Sequence, residues 1–132
     1  MSSLDRDIIS FKGKVVPGSK KGTELGYPTI NMEIGGGVEL DFGVYICNVT
    51  VKEELYQGAM HYGPKTIGTD DLAKTFCEIH IFRFNEDIYG EEVLVNVLKK
   101  IRNVREFDSE QELAEEISRD IKIAKKYFSD AK

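Results

Sequence analysis

Hydrophobic residues alternate with polar ones through most of the first three quarters of the chain. A period of two is the signature of strands with one buried face. In "IISFKGKVV", Ile9, Phe11, Gly13 and Val15 share a face, and Pro17 ends the run. "YPTINMEI" reads as extended, because Pro28 biases the residue before it away from helix. "GVYICNVTV" is the strongest strand, with Tyr45, Cys47, Val49 and Val51 on one side, and "LYQGAM" is a weaker one. In "FCEIHIFRF", Cys77, Ile79 and Ile81 form an apolar face, with Phe76, Glu78, His80, Phe82 and Phe84 opposite. "VLVNVL" follows, and "NEDIYGEE" between the two reads as a hairpin connection. Six strand candidates with short turns and no alternating helices predict a small, mainly β, antiparallel barrel.

The last quarter changes period. In "SEQELAEEISRDIKIAKKYF", the apolar positions Leu113, Ile117, Ile121, Ala124 and Phe128 are spaced as one face of a helix. Ser109 and Glu112 have the spacing of a capping box. Glu110, Glu112, Glu115 and Glu116 crowd the first turns, while Lys122, Lys125 and Lys126 follow late, as the helix dipole favours. The helix is expected to lie on the barrel as a structural lid, with its charged side in solvent.

At 132 residues the chain has the length of one domain with one core. The expectation is a single domain over residues 1–132, with 1–7 as an N-terminal arm. No apolar run approaches the ~18 residues that span a bilayer, and the acidic start "MSSLDRD" is no secretory signal. These features place the chain in the cytoplasm, away from membranes. A net charge of −5 disfavours nucleic-acid binding, which needs many cationic contacts to phosphate. A small phosphorylated ligand needs only a few lysines. Cys47 and Cys77 sit in strand-like segments and read as buried free thiols. Two histidines, His61 and His80, do not suggest zinc.

Three features carry possible chemistry. In "PGSKKGTELG", Gly18, Gly22 and Gly26 recur every four residues among polar ones. Glycines let a backbone approach a ligand closely. Its N–H groups can then cradle an anion, with Lys20 and Lys21 adding charge. The P-loop spacing is absent, and a plain surface hairpin fits the loop equally well. Next, Thr29 and Asn31 point to the same side of an extended strand. Their neutral oxygens suit Mg²⁺, which takes one or two protein ligands alongside phosphates and water. Hydrogen bonding to a neighbouring strand is the competing account. Finally, Glu78 stands among aromatic residues, where a carboxylate needs a partner or a task. It suits a general base for a hydroxyl nucleophile; an ion pair with Lys74 or Arg83 is the alternative.

In their order and spacing, "GKVVPGSKKGTELGYPTIN", "GVYICNV", "CEIHIFRFNEDIYG" and "REFDSEQEL" resemble the riboflavin kinase (flavokinase) family. The resemblance covers about residues 11–128. It implies a six-stranded antiparallel Greek-key barrel with a C-terminal α-helix packed on it. It also implies transfer of the γ-phosphoryl group of ATP to the terminal ribityl hydroxyl of riboflavin, giving FMN and ADP. By the same resemblance, Thr29 and Asn31 hold the metal, Mg²⁺ or another divalent cation, and the nucleotide phosphates. Gly18, Ser19, Lys20, Lys21, Gly22 and Gly26 form the nucleotide loop, with Lys74 as a further nucleotide contact. Glu78 is the catalytic carboxylate, and Arg102 and Phe107 fall on the flavin side.

The chain departs from the family pattern at Thr23, where an arginine is common, and at Val104, where an acid is common. In "HYGPKTIG" only Gly63, Pro64 and Thr66 follow the pattern. Differences in nucleotide and flavin contacts are expected there. The segment before Phe11 is too short for the adenylyltransferase fused to many bacterial members, so FMN rather than FAD is the expected product. A monomer is expected. The alternative reading is a flavin-binding or sensing module on the same fold that has lost catalysis. A third, a barrel serving only protein interaction, leaves the glycine loop and PTIN without a purpose.

Overall fold

The computed structural model describes residues 9–18, 25–34, 38–64 and 75–131. Six strands and one helix follow in order: β1 Ile9–Val16, β2 Ile30–Ile34, β3 Gly43–Val51, β4 Glu54–Gly63, β5 Phe76–Ile81, β6 Glu92–Arg102 and α1 Glu110–Asp130. The strands close into a barrel in the order β1-β2-β5-β4-β3-β6, every neighbour antiparallel. Strands β3, β4 and β5 run as a meander. β2 lies beside β5 and β6 beside β3, so two Greek keys overlap on the same meander. The expected fold class is therefore the one observed.

The alternating residues fill the barrel. Phe11, Val15, Met32, Cys47, Val49, Met60, Cys77, Ile79, Ile81, Val93, Val95 and Val97 form one buried cluster. Both thiols are free and buried; burial pushes the Cys77 thiol up to about 12 and Cys47 higher still. Neither suits chemistry at neutral pH. The β3–β4 hairpin turns through Lys52 and Glu53, both at positive φ (49° and 72°). Two such residues match the twist of the flanking strands.

Three expectations need correction. "NEDIYGEE" is not a hairpin: β5 and β6 are not neighbours, and this segment crosses between them. Ile88 within it is buried, and its end runs beside β1, with the Val15 N–H donating to Glu91 and the Gly90 N–H to Val15. Phe84 does not share the outer face of Glu78. The strand stops at Ile81, Arg83 turns the chain at φ 60°, and Phe84 packs against the barrel cluster and edge-on to Tyr56. The charged side of α1 is not wholly solvated either, because Glu116 and Asp120 are buried.

Helix α1 packs on β4 and β6. Ile121 and Ala124 meet Ile46, Ala59 and Phe82 in a second cluster, joined by Tyr27 and Leu98. Its N-cap is Ser109, whose hydroxyl accepts from the Glu112 N–H at 3.1 Å. The Glu112 carboxylate accepts from Arg105, so the cap is supported by an arginine brought in from the preceding segment.

Candidate active site

The outer face of the barrel carries the polar residues that alternate with the core. On β2 Ile30, Met32 and Ile34 face the core; Asn31, between the first two, points outward. On β5, Cys77 and Ile79 point inward and Glu78 outward. The ladder pairs Asn31 with Glu78 directly. On the other side of β5, His61 pairs with Glu78. An amide, a carboxylate and an imidazole thus stand in one row across three strands. Opposite residues of an antiparallel pair lie about 4.5–5.5 Å apart at Cα. Glu78 is half-buried. His61 turns its Nε2 to the Pro64 carbonyl at 2.9 Å.

The glycine loop reaches this row through Gly18. A Cβ added there would lie 2.6 Å from both Nδ2 and Oδ1 of Asn31. Only a glycine lets the backbone pass so close to that amide. Gly26, at φ 93°, has no neighbour within 4 Å of such a Cβ, so its need is backbone conformation rather than space. Pro28 and Thr29 lead into β2, and Thr29 is half-buried. The Pro28 carbonyl accepts a hydrogen bond from His80 Nδ1 at 2.7 Å. This contact spans 52 residues of sequence, and nothing in the sequence pattern announces it. Ser19, Lys20, Lys21, Gly22 and Lys74 lie outside the described residues, as do Thr23, Thr66 and the arm 1–7.

Thr29 and Asn31 are neutral oxygen donors. Among the described residues no three His, Cys, Asp or Glu side chains gather as a metal site. Two neutral oxygens fit a hard cation that shares its shell with phosphate and water.

A family model described as riboflavin kinase matches residues 6–128. The chain belongs to the riboflavin kinase family. A bifunctional riboflavin kinase/FMN adenylyltransferase of Buchnera aphidicola is 37% identical over 121 residues, covering 91% of this chain and 39% of that protein. An RNA-binding riboflavin kinase of Bacillus subtilis is 41% identical over 118 residues, covering 88% of this chain and 50% of its own. The chain thus spans about two fifths to half the length of these relatives. Among solved structures, riboflavin kinase from Trypanosoma brucei is similar with a TM-score of 0.61 and 25% identity, over 91% of this chain and 76% of that one.

On this riboflavin kinase barrel the flavin-side candidates lie where β6 leads to α1, and the strand register carries the Asn31–Glu78–His61 row on through Val44 to Arg102. Arg102 makes a bidentate pair with Asp120, Nε and Nη2 each at 2.9 Å from a carboxylate oxygen, and its Nη1 donates to the Asn103 carbonyl. Arg105 bridges Glu116 and Glu112, both at 2.9 Å, and Glu116 also accepts from Arg119. Phe107 is buried beneath the two guanidinium groups, 5.8 Å from that of Arg102 and 4.4 Å from that of Arg105. Burial pushes the Asp120 carboxyl up, with the Arg102 pair acting against it. The hydrogen bond from Arg119 holds Glu116 down. Sequence reasoning found Arg102 and Phe107 but missed their partners. A signal was present: acids recur every four residues at Glu112, Glu116 and Asp120, facing two arginines just upstream.

Proposed function

We propose that this chain phosphorylates riboflavin, moving the γ-phosphoryl group of ATP to the terminal ribityl hydroxyl and releasing FMN and ADP. The observation that carries the proposal is the direct pairing of Asn31 on β2 with Glu78 on β5, both facing outward. It sets a base beside the segment that would hold the nucleotide phosphates. Glu78 accepts the ribityl proton as the hydroxyl oxygen bonds to the γ-phosphorus. The bond from that phosphorus to the bridging oxygen breaks, and ADP leaves with the electron pair. In such transfers most of the acceleration is positioning and electrostatics.

Thr29 and Asn31 would hold Mg²⁺, which would neutralise phosphate charge. Gly18, Gly26 and the loop residues 19–22 would cradle the phosphates, with Lys74 as a further contact. Arg102 and Phe107 serve the flavin side by bracing residues 103–109, since the guanidinium of Arg102 is already engaged by Asp120 and Asn103. All the groups named come from one chain, so the reading needs no second copy. A module that only bound flavin would have no use for a carboxylate facing the Asn31 amide. A cytoplasmic setting, where ATP is abundant, suits the reaction. Among the described residues no helix is long and apolar enough to cross a membrane.

The test is one incubation of the protein with riboflavin, ATP and Mg²⁺, with the flavins separated by chromatography. FMN is the expected product. Glu78→Gln should slow turnover by at least about 100-fold while leaving nucleotide affinity within about twofold. Near-normal turnover in that variant would remove Glu78 as the base.

A further inference from the structure

We infer that His80 is a positioning residue: it fastens residues 27–29 to the strand that carries Glu78, and thereby fixes where Thr29 and Asn31 present their oxygens. The inference rests on the metal–nucleotide reading of those two residues.

The local geometry creates the need for such a fastening. The β2–β5 ladder pairs Ile30 with Ile79 and Asn31 with Glu78. One step further, Thr29 would face His80, but β2 begins only at Ile30. Pro28 has no N–H to give to a ladder. Backbone pairing therefore holds Asn31 but does not extend to Thr29. Among the described residues, this segment is held by Tyr27 in the cluster beneath α1 and by the 2.7 Å bond between His80 Nδ1 and the Pro28 carbonyl. A carbonyl only accepts, so Nδ1 carries the donated proton.

The imidazole itself is held from two sides. Tyr27 meets it edge-on, with centroids 6.1 Å apart and planes at 87°. Phe82 meets it at 5.6 Å and 62°. Both aromatics belong to the cluster beneath α1. The backbone of His80 is fixed as well: a Cβ added to Gly58 would stand 2.8 Å from the His80 carbonyl oxygen, so β4 runs tightly against it. Glu78 lies two residues before His80 on the same outward face. One short stretch of β5 thus carries the base and sets the distance to the donor segment.

Two substitutions separate fastening from packing. His80→Phe keeps an aromatic ring between Tyr27 and Phe82 but removes the donor. His80→Asn places an amide N–H where Nδ1 stood and gives up much of the ring. The kinetic readout is KM for Mg·ATP against KM for riboflavin. The independent readout is hydrogen exchange at the Thr29 and Ile30 amides, followed without substrates. H80F should raise KM for Mg·ATP about fivefold, equivalent to about 1 kcal/mol. Its KM for riboflavin should stay within about twofold, and exchange at the two amides should quicken several-fold. H80N should recover most of both losses. An H80F protein with wild-type KM for Mg·ATP and wild-type exchange overturns the inference, and so does an H80N protein no better than H80F. If the wild type forms no FMN, the kinase reading falls by itself, and the exchange comparison alone decides the role of His80.

Discussion

Gly18→Ala adds one carbon at the point where the loop crosses Asn31. The added Cβ would sit 2.6 Å from both polar atoms of the Asn31 amide, whereas ordinary contact begins at 3.4 Å. The Cγ of Asn31 lies closer still, so one of the two groups must yield by more than about 0.8 Å. The Asn31 backbone is held on both sides, by Val16 of β1 and Glu78 of β5, so its side chain swings or the loop lifts. Either response separates the loop from the amide that faces the base. Displacements near 1 Å in a positioned site cost up to about 100-fold, so kcat/KM for Mg·ATP should fall between about 10- and 100-fold. Stability should hardly change, because Gly18 is exposed, has no positive φ and lies outside the core. A shift within about 0.5 kcal/mol is expected in urea unfolding. Gly26→Ala is the matched control. It meets no atom but must hold φ 93°, so it should lose about 1–2 kcal/mol of stability while its kinetics change less than those of Gly18→Ala. The measurements are FMN formation at varied Mg·ATP and urea unfolding of both variants. If Gly18→Ala keeps full kcat/KM, the loop does not need to approach Asn31 and the steric argument fails.

Asp120→Ala leaves the guanidinium of Arg102 without its bidentate partner, in a pair whose side chains are 19% and 6% exposed. It should destabilise the fold by about 3 kcal/mol in urea unfolding. Pairing it with Arg102→Met should recover most of that loss, and a double variant as unstable as the single one would contradict the account. Acid should weaken the same network through Glu116, which the Arg119 hydrogen bond holds below its ordinary 4.5. A depressed carboxyl stabilises the fold above 4.5 and loses that contribution as pH falls through its folded value. Asp120, raised by burial, acts with the opposite sign. Glu116→Gln should therefore flatten the fall in stability below pH 4.5, measured by thermal unfolding from pH 6 to 3; an unchanged acid limb would refute it.

The strands were legible because each has one face in the barrel, so apolar residues recur at every second position. Alternation does not say which strands are neighbours, which is why the segment before β6 looked like a hairpin although it crosses the barrel. It also does not say where a strand stops, and Phe84 was assigned to the wrong face because the turn at Arg83 interrupts the period. On α1 the apolar stripe was clear, but burial of Glu116 and Asp120 depends on arginines that meet them only in the fold. Within the site, Asn31 and Glu78 were readable as residue types on the outer sides of their strands, whereas Thr29, read as sharing the strand face of Asn31, stands just before β2. That Asn31 and Glu78 are partners depends on β2 lying beside β5, a matter of topology. The bond from His80 to Pro28 and the crowding of Gly18 on Asn31 are three-dimensional facts without a sequence period.

Closure of the barrel has a consequence for how errors are excluded. A slip of one residue between β2 and β5 would turn Met32 outward and Asn31 into the core. In an open sheet such a slip disturbs the ladders beside one strand and can be absorbed at an edge. Here β2 is bonded to β1 as well as β5, and the ring returns through β6, β3 and β4. A shift at one seam must be compensated at another. The spacing of amide and carboxylate is thus protected in the way a loop of chain links is: no link can be turned without turning its neighbours. Rim-loop positions other than Gly18 and Gly26 can change without altering that spacing.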